Sequence, residues 1–98
     1  MAFIQIVDFE TSKLDEMLAL DREWEAASAG TRTTGHRVLA RDRDNPDRYL
    51  NIVWFDSFES AMENSNLPVT QAFAEKMMAL SKGGATFVNL DVIEEIEG

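Results

Sequence analysis

The sequence predicts an α+β domain: a four-stranded antiparallel sheet with its helices on one face, in the βαββαβ order of the ferredoxin-like plait. Alternating segments near both termini and in the middle predict the strands, and stretches with apolar residues three and four apart predict the helices. A strong turn signal, Asp44-Asn45-Pro46-Asp47, joins the two central strand patterns into a hairpin. At 98 residues the chain has room for one domain, residues 1–98.

The first strand is expected over Ala2–Phe9, with Ile4 and Ile6 on one face and Phe3, Gln5, Val7 and Phe9 on the other. Ser12 is an expected N-cap with Asp15 at N3, and the helix it opens buries Leu14, Met17, Leu18, Trp24 and Ala27. Ala29–Gly35 reads as a loop whose glycines lack phosphate-cradle spacing. Strands follow over His36–Arg43 and Arg48–Phe55. A four-residue loop would pair Arg43 with Arg48, Leu39 with Ile52 and Val38 with Val53. The same register places His36 opposite Phe55 and Arg37 opposite Trp54 as a cation–π pair. Asp56 or Ser57 caps a short helix that ends at Asn64-Ser65-Asn66. Pro68 suits the first turn of another helix, with Val69, Phe73, Met77 and Leu80 as its stripe and Gly83 as its C′ residue. Ala85–Ile96 is the last strand.

An apolar share of 45% with 28% charged residues is ordinary for a globular chain. The net charge of −9 argues against nucleic acid and anionic membranes as partners. Arg32, Arg37, Arg41, Arg43 and Arg48 are interleaved with Asp42, Asp44 and Asp47, so they form no basic stripe. Without cysteine, thiolate catalysis and thiolate metal sites are excluded; with His36 as the only histidine, so is any two-histidine metal motif. Neither a metal nor another cofactor is expected. The first residues already follow a strand pattern, and no apolar run approaches about 18 residues. The expected setting is the cytoplasm.

Both sheet faces are apolar. The aliphatic one (Ile4, Ile6, Leu39, Leu50, Ile52, Trp54, Val88, Leu90 and Val92) is expected to lie under the helices. The other face carries Phe3, Phe9, Val53, Phe55 and Phe87 with the polar set Gln5, His36, Tyr49, Asn51, Asn89 and Asp91. It is too apolar to stay in water, so it is expected to pack against a second copy, sheet on sheet, in a barrel-like homodimer. Buried polar groups need partners, so this set either bonds across the dimer or faces water or a ligand. His36 is either structural or a general base.

From Trp54 to Met78 the chain resembles the dimeric α+β barrel superfamily, in particular the antibiotic biosynthesis monooxygenase-like domains. The matching features are the strand ending at Val53-Trp54, the helix start Asp56-Ser57-Phe58-Glu59-Ser60-Ala61, and Pro68-Val69-Thr70-Gln71-Ala72-Phe73 opening the next helical piece. Members that oxidise aromatic polyketides or degrade haem are similar in carrying an asparagine on the first strand, a tryptophan on the third and a histidine on the following helix. Trp54 matches the tryptophan, Gln5 is a longer amide than the asparagine, and Asn64 stands near the histidine position. An asparagine neither ligates haem iron nor serves as a general base near neutral pH, so this departure from the family pattern argues against haem degradation.

The candidate pocket lies between helices and sheet. Trp24 and Trp54 are either core residues or its walls, with Asp21, Arg37 and Asn64 at its mouth. Asp21 falls within the apolar stripe of its helix, either reaching water at the stripe's edge or pointing into the pocket. The expected function is binding of a small hydrophobic or aromatic molecule. Cofactor-free monooxygenation of an aromatic, polyketide-like metabolite is the alternative, and the sequence does not decide whether the protein is an enzyme.

Overall fold

A computed structural model describes residues 2–98. The elements are β1 (Phe3–Glu10), α1 (Leu14–Ala27), β2 (Arg37–Arg41), β3 (Arg48–Phe55), α2 (Phe58–Ser65), α3 (Pro68–Leu80) and β4 (Ala85–Asp91). The strands form one sheet in the order β2-β3-β1-β4, every neighbouring pair antiparallel. This is the ferredoxin-like plait, with the second helix broken into α2 and α3. β2 and β4 stop short of the expected Arg43 and Ile96.

Local chemistry sets the element ends. Lys13, not Ser12, is the N-cap of α1 and makes no side-chain cap bond. The neighbouring Thr11 is fully buried; its Oγ1 accepts from Lys13 N at 3.0 Å and donates to Leu80 O at 2.8 Å. Thr11 thus ties the start of α1 to the end of α3. Ser57 caps α2 in the ordinary way, its hydroxyl accepting from Ser60 N at 3.0 Å. Leu67 is extended and Pro68 opens α3, which separates it from α2. α3 ends on extended Ser81, so Gly83 lies beyond its C′ position, in a loop where Gly83 and Gly84 both take positive φ.

The hairpin is longer than four residues. Asp42 N donates to Arg48 O at 2.9 Å and Arg48 N to Asn45 O at 3.0 Å. Two further bonds, Asp44 N to Asp42 Oδ1 and Asp47 N to Asn45 Oδ1, close the turn from within. Asp42 therefore pairs with Arg48, and Arg37 pairs with Val53, Val38 with Ile52 and Leu39 with Asn51. The expected register is off by one, and a one-residue slip turns every side chain of β2 to the opposite face.

The helices cover the aromatic face, the reverse of the expectation. Phe3, Val7, Phe9, Tyr49, Val53 and Phe55 are buried, together with Met17, Leu20, Trp24, Ala61 and Met77 from the helices. On α1, Leu20 is buried beside Met17 and Trp24; of the other expected stripe residues, Leu14 packs half-buried against that core, Leu18 is half-buried and Ala27 is exposed. Two apolar clusters result. Val7, Phe9, Met17, Leu20, Tyr49 and Met77 pack beneath α1 and α3, while Phe3, Val53, Phe55 and Ala61 pack beneath α2.

The aliphatic face is open. Strand pairing orders it into rows: Leu90, Ile4, Trp54 and His36, then Val88, Ile6, Ile52 and Val38. Beyond Asp8, Leu50 and Ala40 it ends in a charged corner, where Arg48 donates to Asp8 at 2.7 Å and to Asp42 at 3.0 Å. Hydrogen bonds from Arg48 hold the Asp8 carboxyl below the ordinary carboxylate range. The Asp44 N–H does the same for Asp42, with Arg48 adding to it. Among the described residues no helix is long and apolar enough to cross a membrane.

Candidate functional site

A cavity of about 250 Å³ lies in the helix–sheet layer, between the two apolar clusters. Its floor comes from two neighbouring rows of the sheet. Gln5 and Val53 stand in one, Val7 and Asn51 in the next, and Phe87 of β4 edges the second. Trp24, Phe73, Ala74 and Met77 form the helical wall; Phe55, Asn64 and Ser65 close the end beneath α2, with Thr34, Thr70 and Gln71 around the rim. Residues from the end of α2 (Asn64, Ser65) and the start of α3 (Thr70, Gln71) both line the cavity, and Gln5 and Asn51 are polar side chains that belong to neither cluster.

Trp24 is fixed on several sides. Its Nε1 donates to Thr70 Oγ1 at 2.9 Å, its ring centroid is 6.1 Å from that of Phe73, and the Arg37 guanidinium lies 4.8 Å over the ring. Arg37 in turn donates to Asp21 at 3.1 Å and to Glu25 at 3.2 Å, which spans the gap from β2 to α1. Asp21 is the only carboxylate lining the cavity and Arg37 the only cation, among the described residues.

Asn64 is 6% exposed. Its Oδ1 accepts from Thr33 N at 3.3 Å, while Thr33 Oγ1 donates to Ser60 O at 2.6 Å, so the α1–β2 loop is held against α2. A backbone N–H can only donate, so this bond fixes the orientation of the amide. Its Nδ2 has no protein acceptor among the described residues. No fully buried side-chain nitrogen or oxygen there lacks a partner, so Nδ2 is not fully buried, and Asn64 is among the residues lining the cavity.

Of the residues singled out from sequence, Trp24, Asp21, Arg37 and Asn64 come together here, and Gln5 and Asn51 join them from the set expected at a dimer face. Trp54 does not. It lies on the open face, its ring centroid 5.1 Å from that of His36, and the expected Arg37–Trp54 pair is replaced by Arg37 over Trp24. His36 is the one member of the polar set on that face. Tyr49 is buried beneath the helices and its hydroxyl accepts from Arg41 at 3.0 Å. Asn89 bonds Gln5 at 3.1 Å, and Asp91 sits at the sheet's exposed end opposite Phe3. Phe55, Phe73, Phe87 and Thr70 also line the cavity, without having been expected there. Amides at Gln5 and Asn51 on an otherwise aromatic face were the signal for a pocket floor.

The architecture is that of the antibiotic biosynthesis monooxygenase-like domains. SnoaB from Streptomyces nogalater, a cofactor-independent oxygenase whose structure is known for an asparagine-to-alanine variant, superposes with a TM-score of 0.83 at 15% identity. The match covers 99% of this chain and 98% of that one. Rv0793 from Mycobacterium tuberculosis gives 0.81 at 12% identity over 99% and 100% of the two chains. A candidate antibiotic biosynthesis monooxygenase from Caulobacter crescentus gives 0.81 at 14% identity over 95% and 91%. No family model matches the sequence, and no curated protein matches it. At these identities the likeness is one of fold.

Proposed function

We propose that the protein binds a small hydrophobic or aromatic molecule in the cavity between helices and sheet, and does so as a homodimer. The observation that carries this is the unpartnered Nδ2 of Asn64, a nearly buried donor in an aromatic-walled cavity of about 250 Å³. Apolar walls with a few convergent polar groups are the usual make-up of a small-molecule site. Calorimetric titration with bicyclic aromatic compounds tests it; saturable binding lost on Ala74→Trp, which fills the cavity, is the expected result.

The dimer is supported by the open face. Two rows of side chains, apolar except for His36 and bordered by a charged corner, suit isologous packing of one sheet on its copy, as in the dimeric α+β barrels this chain resembles. The sheet face that pairs is thus the aliphatic one.

The likeness to SnoaB favours a second reading, cofactor-free monooxygenation of an aromatic, polyketide-like metabolite. In such chemistry the deprotonated substrate itself reacts with oxygen, and the protein contributes orientation and electrostatics. Asp21 is the lining carboxylate able to take the proton. Oxygen uptake with a tricyclic aromatic ketone bearing an acidic C–H, abolished in Asp21→Asn, would distinguish an enzyme from a binding protein.

A further inference from the structure

We infer that the cavity selects a neutral, planar heteroaromatic ligand with a cis-amide edge, a ring lactam or imide, over hydrocarbons, lactones and carboxylates. This rests on the cavity being a binding site, as proposed above, and adds the chemistry of what it binds.

Charge rules out the anion. The lining cation, Arg37, is already shared between Asp21 and Glu25, so a ligand carboxylate would meet a surplus of negative charge. The aromatic side chains Trp24, Phe55, Phe73 and Phe87 favour a flat ligand, and the volume suits roughly two or three fused rings.

Hydrogen bonding then narrows the class. Gln5, Asn51, Asn64 and Gln71 bring carboxamides to one cavity. Asn64 offers a donor whose orientation is fixed by Thr33. Gln5 gives one Nε2 hydrogen to Asn89 Oδ1 and keeps Oε1 as an acceptor. The Asn51 side chain bonds no protein group among the described residues and is not fully buried, so both its donor and its acceptor are free. Gln5 and Asn51 are diagonal neighbours across β1 and β3, since Gln5 pairs with Val53 two residues along. A carboxamide presents a donor and an acceptor side by side in one plane. Its complement is a ligand edge with adjacent N–H and C=O groups, the pairing by which Asn and Gln read a heteroaromatic base edge. A hydrocarbon would take water from these amides and return no hydrogen bond.

The test is calorimetric titration of the whole protein with isoquinolone, a neutral bicyclic lactam, and with isocoumarin, the lactone of the same shape with oxygen in place of N–H. We expect isoquinolone to bind about tenfold or more tightly than isocoumarin. Asn51→Val, a substitution suited to a strand, should bring the two affinities together. Equal affinities in the unaltered protein would overturn the lactam selectivity and leave the binding site standing. Failure of both probes to bind would overturn the binding site and this inference with it.

Discussion

Arg37 lies with its guanidinium carbon 4.8 Å from the centre of the Trp24 ring and its NH1 3.1 Å from Asp21 Oδ1, joining an edge strand to the helix beside the cavity that both residues line. The pair is partly exposed, so the contact contributes about 1 kcal/mol or less and weakens with salt. Its larger consequence is access. Arg37→Met is expected to unfold within about 1 kcal/mol of the parent at moderate salt. With Trp54→Phe in the background, so that Trp24 is the remaining indole, Arg37→Met should increase quenching by acrylamide. Unchanged quenching would show that Arg37 does not cover the mouth.

Asn64 both holds the Thr33 loop and faces the cavity. Asn64→Ala leaves the Thr33 N–H without its acceptor, at a cost of about 1–3 kcal/mol if water does not replace it. Urea unfolding should show that loss, and ligand affinity should fall with it. Thr33→Val separates the two effects. It removes the bond from Thr33 Oγ1 to Ser60 O but keeps both backbone and Asn64 amides, so stability should drop while binding stays close to that of the parent.

The charged corner makes a pH prediction. Asp8 titrates below its ordinary value of 3.8 in the folded chain because Arg48 donates to it. A carboxyl whose folded pKa is depressed stabilises fully above the unfolded pKa, and that contribution disappears as pH falls through the folded one. Asp8→Asn should therefore lower stability at pH 7 and flatten the loss on acidification below about pH 4. Urea midpoints of parent and variant should approach each other as the pH is lowered; a constant gap would mean that Asp8 stabilises by packing alone.

Much of the fold was legible because alternation, helix stripes, Ser57, Pro68 and the Asp-Asn-Pro-Asp turn all point to the same elements. The faces were not. Period two divides a strand into two sets without saying which set the helices cover, and both sets here are apolar. The aliphatic set reads as a core because an open sheet face of Ile, Val and Leu has a core's composition. The aromatic set carries the amides of Gln5 and Asn51, and polar groups on a helix-covered face become intelligible only once a cavity is there. In β2 the turn hides the register. Asp42 belongs to the turn's hydrogen-bonding as well as the strand's, so a four-residue loop differs from the real pairing by one and puts Arg37 on the other side. Trp24, Asp21, Arg37 and Asn64 were recognisable as a group; Trp54, chosen on family resemblance, was misplaced with its face.

The position of Trp54 reverses what its truncation should do. A tryptophan packed beneath the helices would cost about 3–5 kcal/mol when cut to alanine, whatever the protein concentration. On the open face, in one row with Ile4 and beside His36, it lies under no helix, and its proposed partners belong to a second copy. Trp54→Ala should then leave the cavity and secondary structure intact but weaken the dimer, since large aromatic residues near an interface centre carry much of its energy. In sedimentation velocity at micromolar concentration the parent should run as a dimer and the variant should shift to monomer. The parent's thermal midpoint should rise with concentration and the variant's should not, because only a dimer couples folding to mass action. A parent that sediments as a monomer would sink the dimer. A concentration-independent loss of several kcal/mol would mean that Trp54 supports the fold of the single chain.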